Sequence, residues 1–200
     1  MNTLKKYGAE FVGTFALTLI VGLSVGGMFP VSTPVLAALT LGLFVYSVGH
    51  ISGTHINPAV TIGAWSIGKI RSREAVRYIV AQVLGAGLAW IKLGFLMTSE
   101  VSLAVSSTMT VGFAEFVGTF FFTFGIASVV YGRTPGQFSG VVVGGSLLLG
   151  VAFAALIGSN GILNPAVAFG IGSFNFMYLF GPIFGSIVGM NVYKYLSDEK

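Results

Sequence analysis

The sequence predicts an all-α membrane protein: six transmembrane helices plus two re-entrant half-helices, related as an inverted 3+3 repeat. Three observations predict it. Only 8% of the 200 residues are charged and 54% are hydrophobic, against about 25% charged in a soluble globular protein. So few charges cannot clothe a water-exposed surface, and a bilayer can take that role. Apolar stretches of about 20 residues, the length that crosses a hydrocarbon core, recur six times along the chain. Finally, one seven-residue and one four-residue segment each occur twice, half a chain apart.

The spans follow in order. Residues 7–29 form the first, 35–52 the second behind Pro34, and 74–98 the third. Residues 108–131, 138–158 and 176–196 form the fourth, fifth and sixth. Met1 to Lys6 with the apolar run behind them imitate a secretory signal. The run is too long for one, and no small-residue cleavage site precedes Pro30, so it is read as a retained span. Two further apolar pieces, 57–67 and 164–172, are too short to cross and each opens with Asn-Pro. Pieces of that length read as re-entrant.

Positive charge sets the orientation, because Lys and Arg concentrate on the cytoplasmic side. Lys5 and Lys6 precede the first span. Lys69, Arg71, Arg73 and Arg77 cluster around the start of the third, Arg133 lies between the fourth and fifth, and Lys194 and Lys200 lie at the end. All nine fall on one side if both termini are cytoplasmic, as expected of a multi-pass protein of a plasma (inner) membrane. Lys92, late in the third span, is the exception and can snorkel outward. The net charge of +4 is therefore topological and does not indicate a nucleic-acid partner.

The segment Ala9-Glu10-Phe11-Val12-Gly13-Thr14-Phe15 returns as Ala114-Glu115-Phe116-Val117-Gly118-Thr119-Phe120, and Asn57-Pro58-Ala59-Val60 returns as Asn164-Pro165-Ala166-Val167. Residues 1–105 and 106–200 are thus two repeats within one transmembrane domain. Each repeat has three spans, an odd number, so the second copy enters from the opposite face, as in inverted-repeat transporters. The two short segments then meet near the midplane. Non-helical backbone is tolerated there only against protein or a water-filled cavity, so the architecture predicts a pore.

Proline suits the first turn of a helix, where its missing N–H would have been unpaired, and asparagine just before it is a favoured cap. Asn57 and Asn164 are therefore expected at two facing helix starts, with Pro58-Ala59 and Pro165-Ala166 behind them. The partial positive charge of such starts disfavours a cation. Water and neutral hydroxylated solutes can accept hydrogen bonds from the two amides. A coupled transporter would need a substrate or ion site at this depth, where only two neutral amides are available.

The stretch from Gly49 to Gly63, His50 and His55 included, resembles the first signature loop of the major intrinsic proteins, the aquaporins and glycerol facilitators. The likeness covers essentially the whole chain, including Ala81-Gln82 with Gly85-Ala86, and Gly181-Pro182. It implies a homotetramer with one pore per subunit, and an outer filter of four residues. Members usually carry Arg directly after the second Asn-Pro-Ala; here Val167 stands there. The other filter positions align with Ala37, Ala152 and Gly161, and a one-residue slip would substitute Leu36 or Ala38, and Val151 or Phe153. The expected filter is small and apolar, with no fixed charge. Lipids, water and small neutral, glycerol-like solutes are the expected partners.

Glu10 and Glu115 are intramembrane acids, which are costly and normally paired or functional. A proton relay is one reading. The repetition and the resemblance favour another, in which each accepts hydrogen bonds from its re-entrant loop. His50 and His55 flank the first loop, either as a pH sensor or, preferentially, as loop support. They are five residues apart without an acidic cluster, and the chain has no cysteine, so neither a metal centre nor a disulfide is expected. No catalytic constellation and no cofactor site emerge. The alternatives to a passive channel are an ion-permeable pore, permitted by the lost Arg, and a structural membrane protein with a closed pore. The 29 glycines are read as sites of close helix crossing.

Overall fold

A computed structural model describes residues 3–27, 29–97, 103 and 106–198. The far end of the third predicted span at Thr98, most of the 99–107 loop, and the terminal residues Met1 and Lys200 lie outside the described residues. Eight α-helices follow in chain order: α1 (Thr3–Gly26), α2 (Thr33–Ser52), α3 (Pro58–Ser66), α4 (Ser72–Leu96), α5 (Met109–Val130), α6 (Ser139–Ile157), α7 (Pro165–Gly170) and α8 (Phe176–Leu196). Among the described residues, six helices are long and apolar enough to cross a membrane. The short α3 and α7 are the two predicted half-helices.

The helix ends are set locally, and the two repeats set them alike. Pro34 sits in the first turn of α2 behind an extended Ser32. Gly53 ends α2 and Gly158 ends α6, each in the left-handed region at φ 86° and φ 112°. Glycine adopts that conformation without a Cβ penalty. Each turn sends the chain back into the bundle toward its half-helix. Six crossings return the chain to the end of the bundle where it began; this is termed the proximal end. The described members of the basic set all lie there, apart from Lys92. Lys6 and Glu74, 2.7 Å apart, tie the start of α1 to the first turn of α4 at that end.

Because lipid tails are as apolar as leucine, helix association in a bilayer depends on close packing. The same device recurs in each repeat. α1 packs on α4 and α5 on α8, with Gly85 against the carbonyl oxygen of Phe11 and Gly185 against that of Phe116. Phe11 and Phe116 are equivalent positions of the duplicated segment. A Cβ at either glycine would run into backbone, which cannot rotate away. Gly185→Val is expected to cost about 3 kcal/mol through overpacking. It should appear as a lowered thermal unfolding midpoint in detergent and a loss of monodisperse protein. The same substitution at Gly94, where a Cβ meets nothing within 4 Å, should change neither.

Candidate functional site

The starts of α3 and α7 face each other in the middle of the bundle. Asn57 caps α3: its Oδ1 accepts from the Ala59 N–H at 2.8 Å. Asn164 caps α7 and accepts from Ala166 N–H at 3.1 Å and Val167 N–H at 3.4 Å. The other half of each amide reaches across the repeat. Asn57 Nδ2 donates to the Leu163 carbonyl at 2.9 Å, and Asn164 Nδ2 donates to the Ile56 carbonyl at 3.0 Å. The two loops thereby clasp each other about the pseudo-twofold. Each NH₂ has two donors and uses one in the clasp. Both asparagines line a cavity, so a second donor per amide is available to what the cavity holds.

The clasp demands an unusual backbone. Thr54, Ile56 and Leu163 have φ of 52°, 38° and 54°, a region that side-chain-bearing residues, β-branched ones above all, rarely occupy. The buried acids hold it. Glu10 accepts from Ser52 Oγ at 2.7 Å, His55 N–H at 2.9 Å, Ile56 N–H at 2.6 Å and Gln82 Nε2 at 2.8 Å. Glu115 does the same for the second loop, accepting from Ser159 Oγ, Ile162 N–H at 3.1 Å and Leu163 N–H at 2.8 Å. The carboxylates occupy the position of a missing strand partner. These contacts bind each carboxylate to its own loop, and neither acid lines the cavity between the asparagines and the distal end.

Loop support by histidine falls to His55 and not to His50, which corrects the sequence reading. His50 is exposed in the last turn of α2 and makes no side-chain hydrogen bond among the described residues. His55 Nδ1 lies 3.1 Å from Thr61 Oγ1, which donates to the Asn57 carbonyl and accepts from Gln82 Nε2. The ring also stands edge-on to Tyr78 at 5.2 Å, and Tyr78 Oη donates to the Ser52 carbonyl at 2.8 Å. Sequence proximity to the loop was the same for both histidines; only the turn at Gly53 separates their fates.

The cavity runs from the distal end of the bundle, at Val25, Thr33 and Pro34, down to the asparagine pair, with a volume of about 160 Å³. One water needs about 10–15 Å³ of such space, so several fit in file. Leu17 and Phe122, equivalent positions of the two repeats, face it from α1 and α5, and Leu41 and Leu147 from α2 and α6. Ala37, Gly161 and Val167 line it. Ala152 does not: it is exposed on the outside of α6, and Val151 lines the cavity in its place. One residue turns a helix by about 100°, which carries the side chain from the wall to the outer surface. Phe153 is also turned away, stacked on Phe121 at 4.5 Å, and does not narrow the passage. Sequence reasoning missed Leu103, from the α4–α5 connection, which lines the same cavity. No periodicity or motif in that connection signals it.

Among the described residues no group of three or more His, Cys, Asp or Glu could hold a metal ion.

Comparison with known proteins agrees with this geometry. The profile of the major intrinsic protein family matches residues 1–193. The chain is 33% identical to aquaporin NIP1-1 of Arabidopsis thaliana, over 96% of this chain and 73% of that protein. It is 32% identical to aquaporin AqpM of Methanothermobacter marburgensis, over the full length of both. Among solved structures, the aquaglyceroporin from Plasmodium falciparum shares the fold, with a TM-score of 0.69 at 23% identity over 98% of this chain and 96% of that one.

Proposed function

Because the chain belongs to the major intrinsic protein family, whose members are channels for water and small solutes and not enzymes, we propose that it passes small uncharged solutes of glycerol size as well as water. The observation that carries this is the distal ring of Ala37, Val151, Gly161 and Val167, which is small, apolar and uncharged. A polyol can lay its carbon backbone against such a wall. Its hydroxyls then reach the spare N–H groups of Asn57 and Asn164 at the bottom of the cavity. Both donors belong to helix starts, so a solute there is oriented as an acceptor. A cation or hydronium at the same point faces two partial positive ends and no acceptor side chain.

The same reading makes the proximal end cytoplasmic, since the basic residues concentrate there, in a plasma (inner) membrane. The homotetramer with one pore per subunit is carried over from the family. Val167 is the residue that most sets this chain apart, because a neutral valine leaves the ring without a positive charge to turn cations away. That favours a second reading, a cation leak.

Stopped-flow light scattering on proteoliposomes tests these readings. Water and glycerol flux well above protein-free vesicles, with no cation current in planar bilayers, is the expected result. Water flux without glycerol flux would mean that the ring is narrower than its side chains suggest. Currents that reverse with a sodium gradient would establish the leak, and no flux at all would establish a closed, structural protein.

A further inference from the structure

We propose that Leu103 is a fifth, specificity-determining member of the distal ring, and that Ser173 is the positioning residue that holds it there; the inference rests on the channel reading above. Leu103 comes from neither half-helix nor any span, but from the connection between α4 and α5. It nevertheless lines the cavity together with Ala37, Val151, Gly161 and Val167, and packs partly buried against the same apolar core.

A connecting segment is held over a cavity only if its backbone is tied down, and here one side chain does so twice. The Leu103 N–H donates to Ser173 Oγ at 2.9 Å, and Ser173 Oγ donates back to the Leu103 carbonyl at 3.2 Å. Ser173 is fully buried. Its own N–H donates to the Ala168 carbonyl at 2.9 Å, which fixes it to α7, the half-helix that bears Val167. The connection is pinned a second time where Asn175 Nδ2 donates to the Ser106 carbonyl at 3.3 Å. Leu103 is thereby registered to the same short helix as Val167, although 64 residues of chain separate Leu103 from Val167.

The consequence is chemical as well as steric. With Leu103 in place, every side chain of the ring is apolar, and the side chains contribute neither a donor nor a charge. Solutes are then sorted by cross-section and by how little hydration they must give up. The polar side chains on the cavity wall, Thr33, Asn160, His55 and the Asn57–Asn164 pair, lie outside this ring. The class that suits this is neutral solutes with a hydrocarbon face, up to the width Leu103 leaves open.

Proteoliposome flux of water, glycerol and the five-carbon polyol xylitol tests the assignment. Leu103→Ala is expected to raise xylitol flux about threefold or more while water flux changes less than about twofold. Leu103→Phe should move glycerol the other way, lowering it by about threefold. Ser173→Ala should behave like Leu103→Ala. The double variant should match Leu103→Ala alone, because Ser173 acts through Leu103. A merely structural serine would instead lower all fluxes together and add to the first change. If the wild type conducts and neither Leu103 variant alters glycerol or xylitol flux relative to water, the assignment is overturned and the channel reading stands. A wild type that passes neither water nor glycerol overturns both.

Discussion

Glu10→Ala is expected to lose the folded channel. The substitution takes the acceptor from four donors, Ser52 Oγ, the His55 and Ile56 N–H groups and Gln82 Nε2, of which Gln82 keeps a second acceptor in Thr61 Oγ1. Each unmade hydrogen bond at a buried donor costs about 1–3 kcal/mol. A loss of about 3 kcal/mol or more follows even if Gln82 turns to Thr61 alone. The left-handed backbone at Ile56 then loses the acceptor of its N–H, so the Ile56 carbonyl should leave Asn164 Nδ2 and the clasp should open. Glu115→Ala takes the acceptor from the corresponding groups of the second loop, Ser159 Oγ and the Ile162 and Leu163 N–H groups, and should be comparably destabilising. Tryptophan fluorescence during heating in detergent gives the stability loss, and water flux in proteoliposomes gives the functional loss.

Val167→Arg is expected to cut glycerol flux by about tenfold or more while water still passes. Val167 is 3% exposed and faces a ring whose other members are Ala37, Val151, Gly161 and Leu103. A guanidinium there fills much of the passage and finds no acid to pair with, so its five donors must turn to backbone carbonyls and to water in the cavity. The result is a narrower, polar and positively charged ring. Any cation leak through the wild type should fall in the variant, since the added charge stands where a cation would enter. Glycerol flux that survives Val167→Arg would show that the ring is not the narrowest point. The constriction would then lie nearer the asparagines, where Leu17 and Phe122 face the cavity.

Much of this protein could be read without its structure. Hydrocarbon thickness and the poverty of charge impose six crossings, and the structure places all six within a few residues of the expected bounds. The duplicated segments impose a pseudo-twofold. The Asn-Pro pairs impose helix starts at residues 57 and 164, because the cap and the first-turn proline are local chemistry that no tertiary contact needs to supply. The paired acids were legible too, since a carboxylate kept in a span at the same place in both repeats requires a partner in both.

What the tertiary structure alone decided is the direction of side chains and the path of an irregular segment. A helix that is apolar all round, as α6 is, has no polar stripe to reveal which face looks inward. Val151 and Ala152 are therefore equivalent in sequence, yet one faces the cavity and the other the outer surface. His50 and His55 differ only by a glycine whose left-handed turn sends one back into the bundle and leaves the other at its end. Leu103 belongs to a connection without periodicity. Its place over the cavity depends on Ser173, 70 residues further along the chain, and a contact that distant leaves no local pattern to read.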